Sequence, residues 1–187
     1  MMEAVTTTAS ASAVRHRRTQ ASRLLADSPD RARLSWSDLS VIPDWATQDR
    51  ETLDRLACAT GTRAHATSLK RCIDGRMLIR LRERLGPAAL KILLSDEPDI
   101  GATALLEPIA IDAASLEQLV DSTGRDWLLA SIEQSGLRDA LRTRLWPDAG
   151  PLLRAIHVGA AESVVRTALG ACALRDEEQP DEKRSAE

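Results

Sequence analysis

Three residues with side chains that could bind a metal ion stand at equal intervals along the chain. They are Cys58, His65 and Cys72, in a C-x6-H-x6-C arrangement. Thiolate and imidazole are good zinc ligands, but established zinc sites place their ligands in close pairs. Both cysteines also fall on the apolar faces of predicted helices, where cysteine packs as a small hydrophobic residue. We therefore interpret all three as packing residues and predict no metal site.

No other group of residues forms a recognisable catalytic motif. The sequence contains no glycine-rich phosphate loop, no dinucleotide-binding fingerprint, no zinc-protease motif and no serine-hydrolase elbow. His157 has no assigned nucleophile or carboxylate partner that would make it a catalytic base. The carboxylates of Glu117, Asp121 and Asp126 lie on predicted helix surfaces, and no pattern brings two of them together. The residues therefore indicate no catalytic centre, and we predict no cofactor.

Charge is distributed unevenly, although the formal net charge is only −3. Residues 63–84 contain seven basic and two acidic residues, whereas residues 96–133 contain nine acidic and one basic. Arg76, Arg80 and Arg84 recur at every fourth position, which places them on one face of a helix. Three interpretations remain open: the segments neutralise each other or are solvated, they bind protein partners, or the basic segment binds nucleic acid.

Helices built from leucine and alanine are the elements that must position these residues. Hydrophobic residues make up 43% of the chain, yet it contains no Phe and no Tyr, and Leu and Ala favour helices over strands. The apolar spacing is helical, and Gly or Pro separates the segments. The predicted helices are 47–61, 67–74, 75–86, 87–95, 113–124, 125–136, 137–147 and 151–174. The predicted C-terminal caps are Gly61, Gly86, Gly124 and Gly136.

These elements predict an all-α fold with a single compact multi-helix domain over residues 24–174. Residues 1–20 lack a repeating apolar face and are expected to form a flexible tail. Residues 175–187 are acidic and are expected to form a disordered tail. Residues 96–112 contain two prolines and a glycine and are expected to form a loop with a short turn of helix. No segment resembles a secretory signal or reaches the roughly 20 apolar residues of a membrane-spanning helix. A cytoplasmic location is therefore expected.

Two of the four tryptophans lie in the short polar stretch RLSWSDLSVIPDW, residues 33–45. Each tryptophan could bury a large area and fasten this stretch to the helices, or could remain exposed as an anchor for a partner. We predict that Trp45 fastens the segment. For Trp36 both hypotheses stay open.

The turns and leucine-rich helices between residues 29 and 147 follow a distinctive order. The first part consists of Pro29, Leu34, Leu39, Pro43 and Trp45. The middle consists of a helix from Leu53 to Gly61, His65, Leu69-Lys70-Arg71 and a helix from Leu78 to Gly86. The last part consists of Gly124, Leu128, Arg144, Leu145 and Pro147. This order resembles the SctK family (YscK, PscK, HrpD) of bacterial type III secretion systems, with Ser35 replacing the family's histidine and Trp36 supplying its aromatic residue.

The resemblance implies a non-enzymatic, all-helical adaptor at the cytoplasmic side of the inner-membrane secretion complex. In the family this adaptor links the cytoplasmic domain of the inner-membrane ring protein to the pods of the sorting platform. The expected partners are therefore the ring protein and the pod protein, with no nucleic acid and no insertion into the membrane. The alternative is a helical nucleic-acid-binding regulator that uses residues 63–84. The residues predicted to contact a partner are Trp36, Arg76, Arg80, Arg84, Glu117 and Asp121.

Overall fold

The computed structural model describes residues 3–70, 75–95, 113–149 and 156–178. All regular secondary structure in these ranges is helical, which confirms the predicted all-α class. Two short 3-10 helices span Pro29–Arg33 and Asp44–Thr47. The α-helices are α1 Glu3–Leu24, α2 Trp36–Ser40, α3 Arg50–Ala64, α4 Ala66–Lys70, α5 Gly75–Leu85, α6 Pro87–Ser95, α7 Ala113–Ala130, α8 Ser135–Leu145 and α9 Val158–Glu178.

The contacts between helices divide the chain into two compact units. The first unit contains residues 1–49 and 132–151, and the second contains residues 50–131 and 152–187. The sequence predicts one helical domain over residues 24–174 and shows no boundary at residue 131. Each unit is assembled from two stretches that are separated in sequence by part of the other unit, so no local pattern could indicate the division.

The first unit is built around two stacked tryptophans. The rings of Trp45 and Trp146 lie with their centroids 6.5 Å apart and their planes at 27°. Both side chains are buried. Arg144 at the end of α8 donates a hydrogen bond from Nε to the carbonyl oxygen of Leu24 at 2.9 Å. That carbonyl belongs to the last residue of α1, so the arginine satisfies a group that the helix itself leaves unpaired.

A helix occupies the N-terminal segment for which the sequence predicts a tail without regular structure. Residues Glu3–Leu24 form α1, because alanine and arginine favour helix even where no apolar face repeats. The C-terminal end of the helix packs through Ala21, which is fully buried. Arg17 also forms an ion pair with Asp44 at 3.0 Å. The predicted C-terminal tail begins inside α9, which continues to Glu178, and its residues 179–187 lie outside the described ranges.

The second unit is organised by a close crossing of α3 and α7. A Cβ atom placed on Gly61 would overlap the backbone carbonyl of Val120, and one placed on Gly124 would overlap that of Ala57. The prediction that Gly61 and Gly124 end helices is therefore wrong, since both lie inside helices where two backbones approach closely. Helix α7 consequently runs unbroken to Ala130.

Of the other two predicted C-terminal caps, one is correct and one is wrong. Gly86 ends α5 with a positive φ of 86°, as its role of a C-terminal cap requires. Gly136, by contrast, lies in the first turn of α8 and ends nothing. Helix α9 begins at Val158 rather than at residue 151, and its residue Leu169 is 41% exposed. The helix buries Ala161, Val164, Val165, Ala168 and Ala171.

Trp127 lies at the centre of the second unit. It packs in a buried cluster with Ala64 of α3, Ala130 of α7, and Ala161 and Val164 of α9. The small side chains of Ala64 and Ala161 let α3 and α9 approach the large indole ring closely. The chain thus builds this core with one aromatic residue among aliphatic ones, in keeping with its composition.

Candidate interaction surfaces

Trp36 is held at the start of α2 by a complete capping box. The Ser35 side chain accepts a hydrogen bond from the backbone N–H of Asp38 at 3.2 Å, and the Ser35 N–H donates to the Asp38 carboxylate at 2.8 Å. The Ser35 hydroxyl, and then the Ser35 N–H, lower the pKa of Asp38 below its usual value. Because the folded pKa is lowered, this cap stabilises α2 above the ordinary carboxyl pKa and is lost as pH falls through the lowered one.

The indole ring of Trp36 is exposed to solvent, whereas the other three tryptophans are buried. Trp36 as a whole residue is 62% exposed, and the guanidinium carbon of Arg31 lies 5.7 Å from the centroid of its ring. This distance is within the range of a cation–π contact. Val41, which follows α2, is also exposed, at 49%. No sequence pattern singles out Arg31 or Val41, because neither lies at helical spacing from Trp36.

Trp45, in contrast to the exposed Trp36, is a core residue. It is buried against Trp146 in the first unit, which confirms the prediction that it fastens the segment 33–45 to helices. One tryptophan of the stretch therefore contributes to the core of the unit. The other, Trp36, is presented outward by a capped helix and is the first candidate for contact with a partner.

Four of the predicted contact residues meet one another in the second unit. Arg80 Nη1 lies 3.1 Å from a carboxylate oxygen of Glu117, and Arg84 Nη1 lies 3.4 Å from the other. Arg84 also lies 3.1 Å from the carboxylate of Asp121. The arginines of α5 and the carboxylates of α7 thus neutralise each other in part, as the first interpretation of the charged segments proposes. Arg76 is exposed on the same helix.

One basic residue of the segment 63–84, Arg63, does not contribute to an exposed positive surface. Arg63 is buried, and its guanidinium donates a hydrogen bond to the carbonyl oxygen of Leu93 at 3.3 Å. Arg63 therefore joins α3 to α6 and has a structural role. Arg71 and the acidic residues between 96 and 112 lie outside the described ranges.

Two of the three residues considered as metal ligands, Cys58 and His65, are described by the structure, and both lie in the interior of the second unit. Burial raises the pKa of the Cys58 thiol to about 12, although the nearby charge of Arg84 acts in the opposite direction. His65 is buried, and its Nε2 lies 3.0 Å from the hydroxyl of Thr123. Cys72 lies outside the described residues. Within the described ranges, no three His, Cys, Asp or Glu side chains cluster in a way that could hold a metal ion.

We expect Cys58 to resist thiol reagents as long as the protein is folded. The thiolate is the reactive form, and a pKa of about 12 leaves almost none of it at pH 8. Titration with a disulfide reagent of a variant that carries Cys72→Ser should give a fast reaction of Cys172, which is half-buried. Cys58 should react only after denaturant is added. Equal rates for both thiols without denaturant would contradict the described burial.

No protein family, curated protein or solved structure matches the chain in the comparisons that we made. The resemblance to the SctK family therefore depends on the residues quoted above. Among the described helices, none is long and apolar enough to cross a membrane.

Proposed function

We propose that the protein is a non-enzymatic adaptor of a bacterial type III secretion system. It joins the cytoplasmic domain of the inner-membrane ring protein to the pod protein of the sorting platform, on the cytoplasmic side of the membrane. The order of turns and helices supports the choice of system. The observation that carries the adaptor role is the exposed indole of Trp36 at the start of a capped helix.

An exposed tryptophan in this position suits protein recognition. Tryptophan is enriched among the residues that contribute most to protein interfaces, and its truncation there typically costs about 2–4 kcal/mol of binding free energy. This chain has only four aromatic residues, and the other three are buried in the two units. The capping box fixes the backbone of the first turn of α2 before a partner binds, and with it the position from which the Trp36 side chain leaves the helix. Pre-organisation of this kind reduces the entropy cost of association.

The nucleic-acid alternative has less support. Arg63 is buried, and Arg80 and Arg84 are bonded to carboxylates, so the charge available for phosphate is smaller than the segment 63–84 suggests. Affinity for nucleic acid depends mainly on the number of phosphates that basic side chains neutralise.

Capture of partners by the wild-type protein and by Trp36→Ala tests the proposal. The tagged proteins would be incubated with an extract of a bacterium that assembles a type III secretion system, and the bound proteins identified. We expect the wild type to retain the ring protein or the pod protein, and Trp36→Ala to retain at least about tenfold less, since tenfold corresponds to 1.4 kcal/mol.

Leu169→Ala is the matched control for this experiment. Leu169 is an exposed apolar residue of the second unit, at 41%, and its truncation should leave capture unchanged. Melting temperatures of both variants should equal that of the wild type. If the wild type retains neither secretion protein, or if Trp36→Ala captures both as well as the wild type does, the proposal is wrong.

A further inference from the structure

Helix α5 presents a basic face with an aliphatic residue in its middle. Ile79 is 56% exposed, and its neighbours on this face include exposed arginines. A Cβ atom placed on Gly75, one turn before Ile79, would meet nothing within 4 Å. We define the α5 face by its exposed residues, which are Arg76, Ile79, Arg80, Arg82 and Glu83. Three arginines against Glu83 on the helix and Glu117, which pairs with Arg80, leave this face a net positive charge.

Glu117 and Asp121 of α7 contact one flank of α5. Successive residues of an α-helix are rotated by about 100°, so Arg80 and Arg84 lie on adjacent positions of one flank. Ile79 and Arg82 lie on the opposite flank. Arg80 and Arg84 bind Glu117 and Asp121, whereas Ile79 and Arg82 are exposed.

The contact with Glu117 shows that the α5 face can bind a carboxylate. Its carboxylate accepts hydrogen bonds from Arg80 at 3.1 Å and from Arg84 at 3.4 Å. The side chain of Arg80 is 56% exposed in this pair, so a carboxylate from another molecule can approach it from solvent. Arg84 would keep its contact with Asp121 at 3.1 Å if Glu117 moved away. Glu117 can therefore be exchanged without leaving Arg84 unpaired.

We propose that the α5 face binds an acidic amphipathic helix of a protein partner. A carboxylate of the partner replaces Glu117 at Arg80, another pairs with Arg82, and an apolar side chain covers Ile79. Ile79 favours a protein over nucleic acid, because an aliphatic side chain offers no favourable contact to a phosphate. This inference rests on the proposed adaptor function and gives the second unit a binding surface separate from Trp36.

Fluorescence anisotropy with three labelled probes tests this proposal on the full-length chain. The first probe is a helical peptide with leucines at positions i and i+4 and glutamates beside them. The second peptide carries lysines in place of the glutamates, and the third probe is a DNA duplex of random sequence. We expect the glutamate peptide to bind at least about tenfold more tightly than the lysine peptide, because opposite charges attract across an interface.

Substitution of Glu117 tests whether this residue competes with the partner for Arg80 or only supports the fold. Glu117→Gln removes the internal competitor for Arg80, so the glutamate peptide should bind about threefold more tightly. A residue that only supported the fold would not produce a gain when it is replaced. Arg82→Glu and Ile79→Ser should each weaken binding about fivefold or more, since a close charge pair or a covered aliphatic side chain contributes on the order of 1 kcal/mol.

Helix α9 offers matched controls at the same spacing. Arg166 and Leu169 are exposed there, three residues apart like Ile79 and Arg82. Arg166→Glu and Leu169→Ala should leave the affinity for the glutamate peptide unchanged.

Three results would overturn the proposal. They are equal binding of the two peptides, tighter binding of duplex DNA than of the glutamate peptide, and weaker binding of the glutamate peptide by Glu117→Gln. None of them bears on capture of secretion proteins through Trp36, so failure here is distinguishable from failure of the adaptor function. Conversely, peptide binding with no capture of a ring or pod protein would support the α5 face and contradict the secretion role.

Discussion

Replacing Gly61 by valine should destabilise the second unit by about 4 kcal/mol or more, an effect found only when a mutation disrupts a specific structural feature. Even a single Cβ atom at residue 61 would overlap the carbonyl of Val120. The atom in the way is backbone, so no side chain can rotate to make room. Helices α3 and α7 would have to separate, and the buried contacts along their crossing would be lost with them.

Urea denaturation followed by circular dichroism would measure this loss. Since domains are typically stable by only about 5–15 kcal/mol, the valine variant should unfold at a much lower urea concentration or fail to fold. Gly124→Val should behave in the same way, because its Cβ would overlap the carbonyl of Ala57.

Gly170→Ala is the control for this prediction. Gly170 also lies inside a helix, α9, but a Cβ atom placed there would meet nothing within 4 Å. Alanine should therefore stabilise the protein by up to about 1 kcal/mol, the difference in helix propensity between the two residues. If Gly61→Val and Gly170→Ala had equal effects, the close crossing of α3 and α7 would be contradicted.

Replacing Trp146 by alanine should cost about 3–5 kcal/mol of unfolding free energy. Trp146 is 1% exposed and stacks against Trp45 with 6.5 Å between ring centroids. Removing the indole would leave a cavity beside Trp45 and abolish the stacked pair. Near-ultraviolet circular dichroism should lose the signal of the stacked rings, and urea denaturation should show the loss of stability.

Phenylalanine in place of Trp146 should recover most of the stability. The indole Nε1 of Trp146 has no hydrogen-bond partner among the described residues, so the ring stabilises the unit by packing and not by a polar contact. Trp146→Phe should therefore cost only about 1–2 kcal/mol.

Trp36→Ala is the control, because Trp36 is 62% exposed and its loss should change stability by no more than about 0.5 kcal/mol. A loss from Trp36→Ala as large as that from Trp146→Ala would contradict the assignment of the two tryptophans.

The sequence by itself determined the all-α class, most of the helices between residues 50 and 145 and some of the points at which they end. Gly86 and Pro87 separate α5 from α6 where predicted, because a glycine with positive φ and a proline in the first turn act on their own backbone. The helical spacing of Arg80 and Arg84 is likewise a local property. It placed both arginines on one side of α5, and an exposed Ile79 among arginines could have been found on the same helical projection.

Only the tertiary structure decided which distant residues these glycines, tryptophans and charged residues contact. Gly61 and Gly124 have the same sequence signature as Gly86, yet they lie in helix interiors because residues about 60 positions apart bring two backbones together. Trp36 and Trp45 stand in one short stretch, but Trp146, a hundred residues further on, buries Trp45 and leaves Trp36 exposed. The charged segments similarly share an ion-pair cluster because α5 and α7 pack side by side. Propensity and periodicity act over a few residues, whereas burial and pairing depend on distant parts of the chain, and the sequence pattern of one segment does not contain that information.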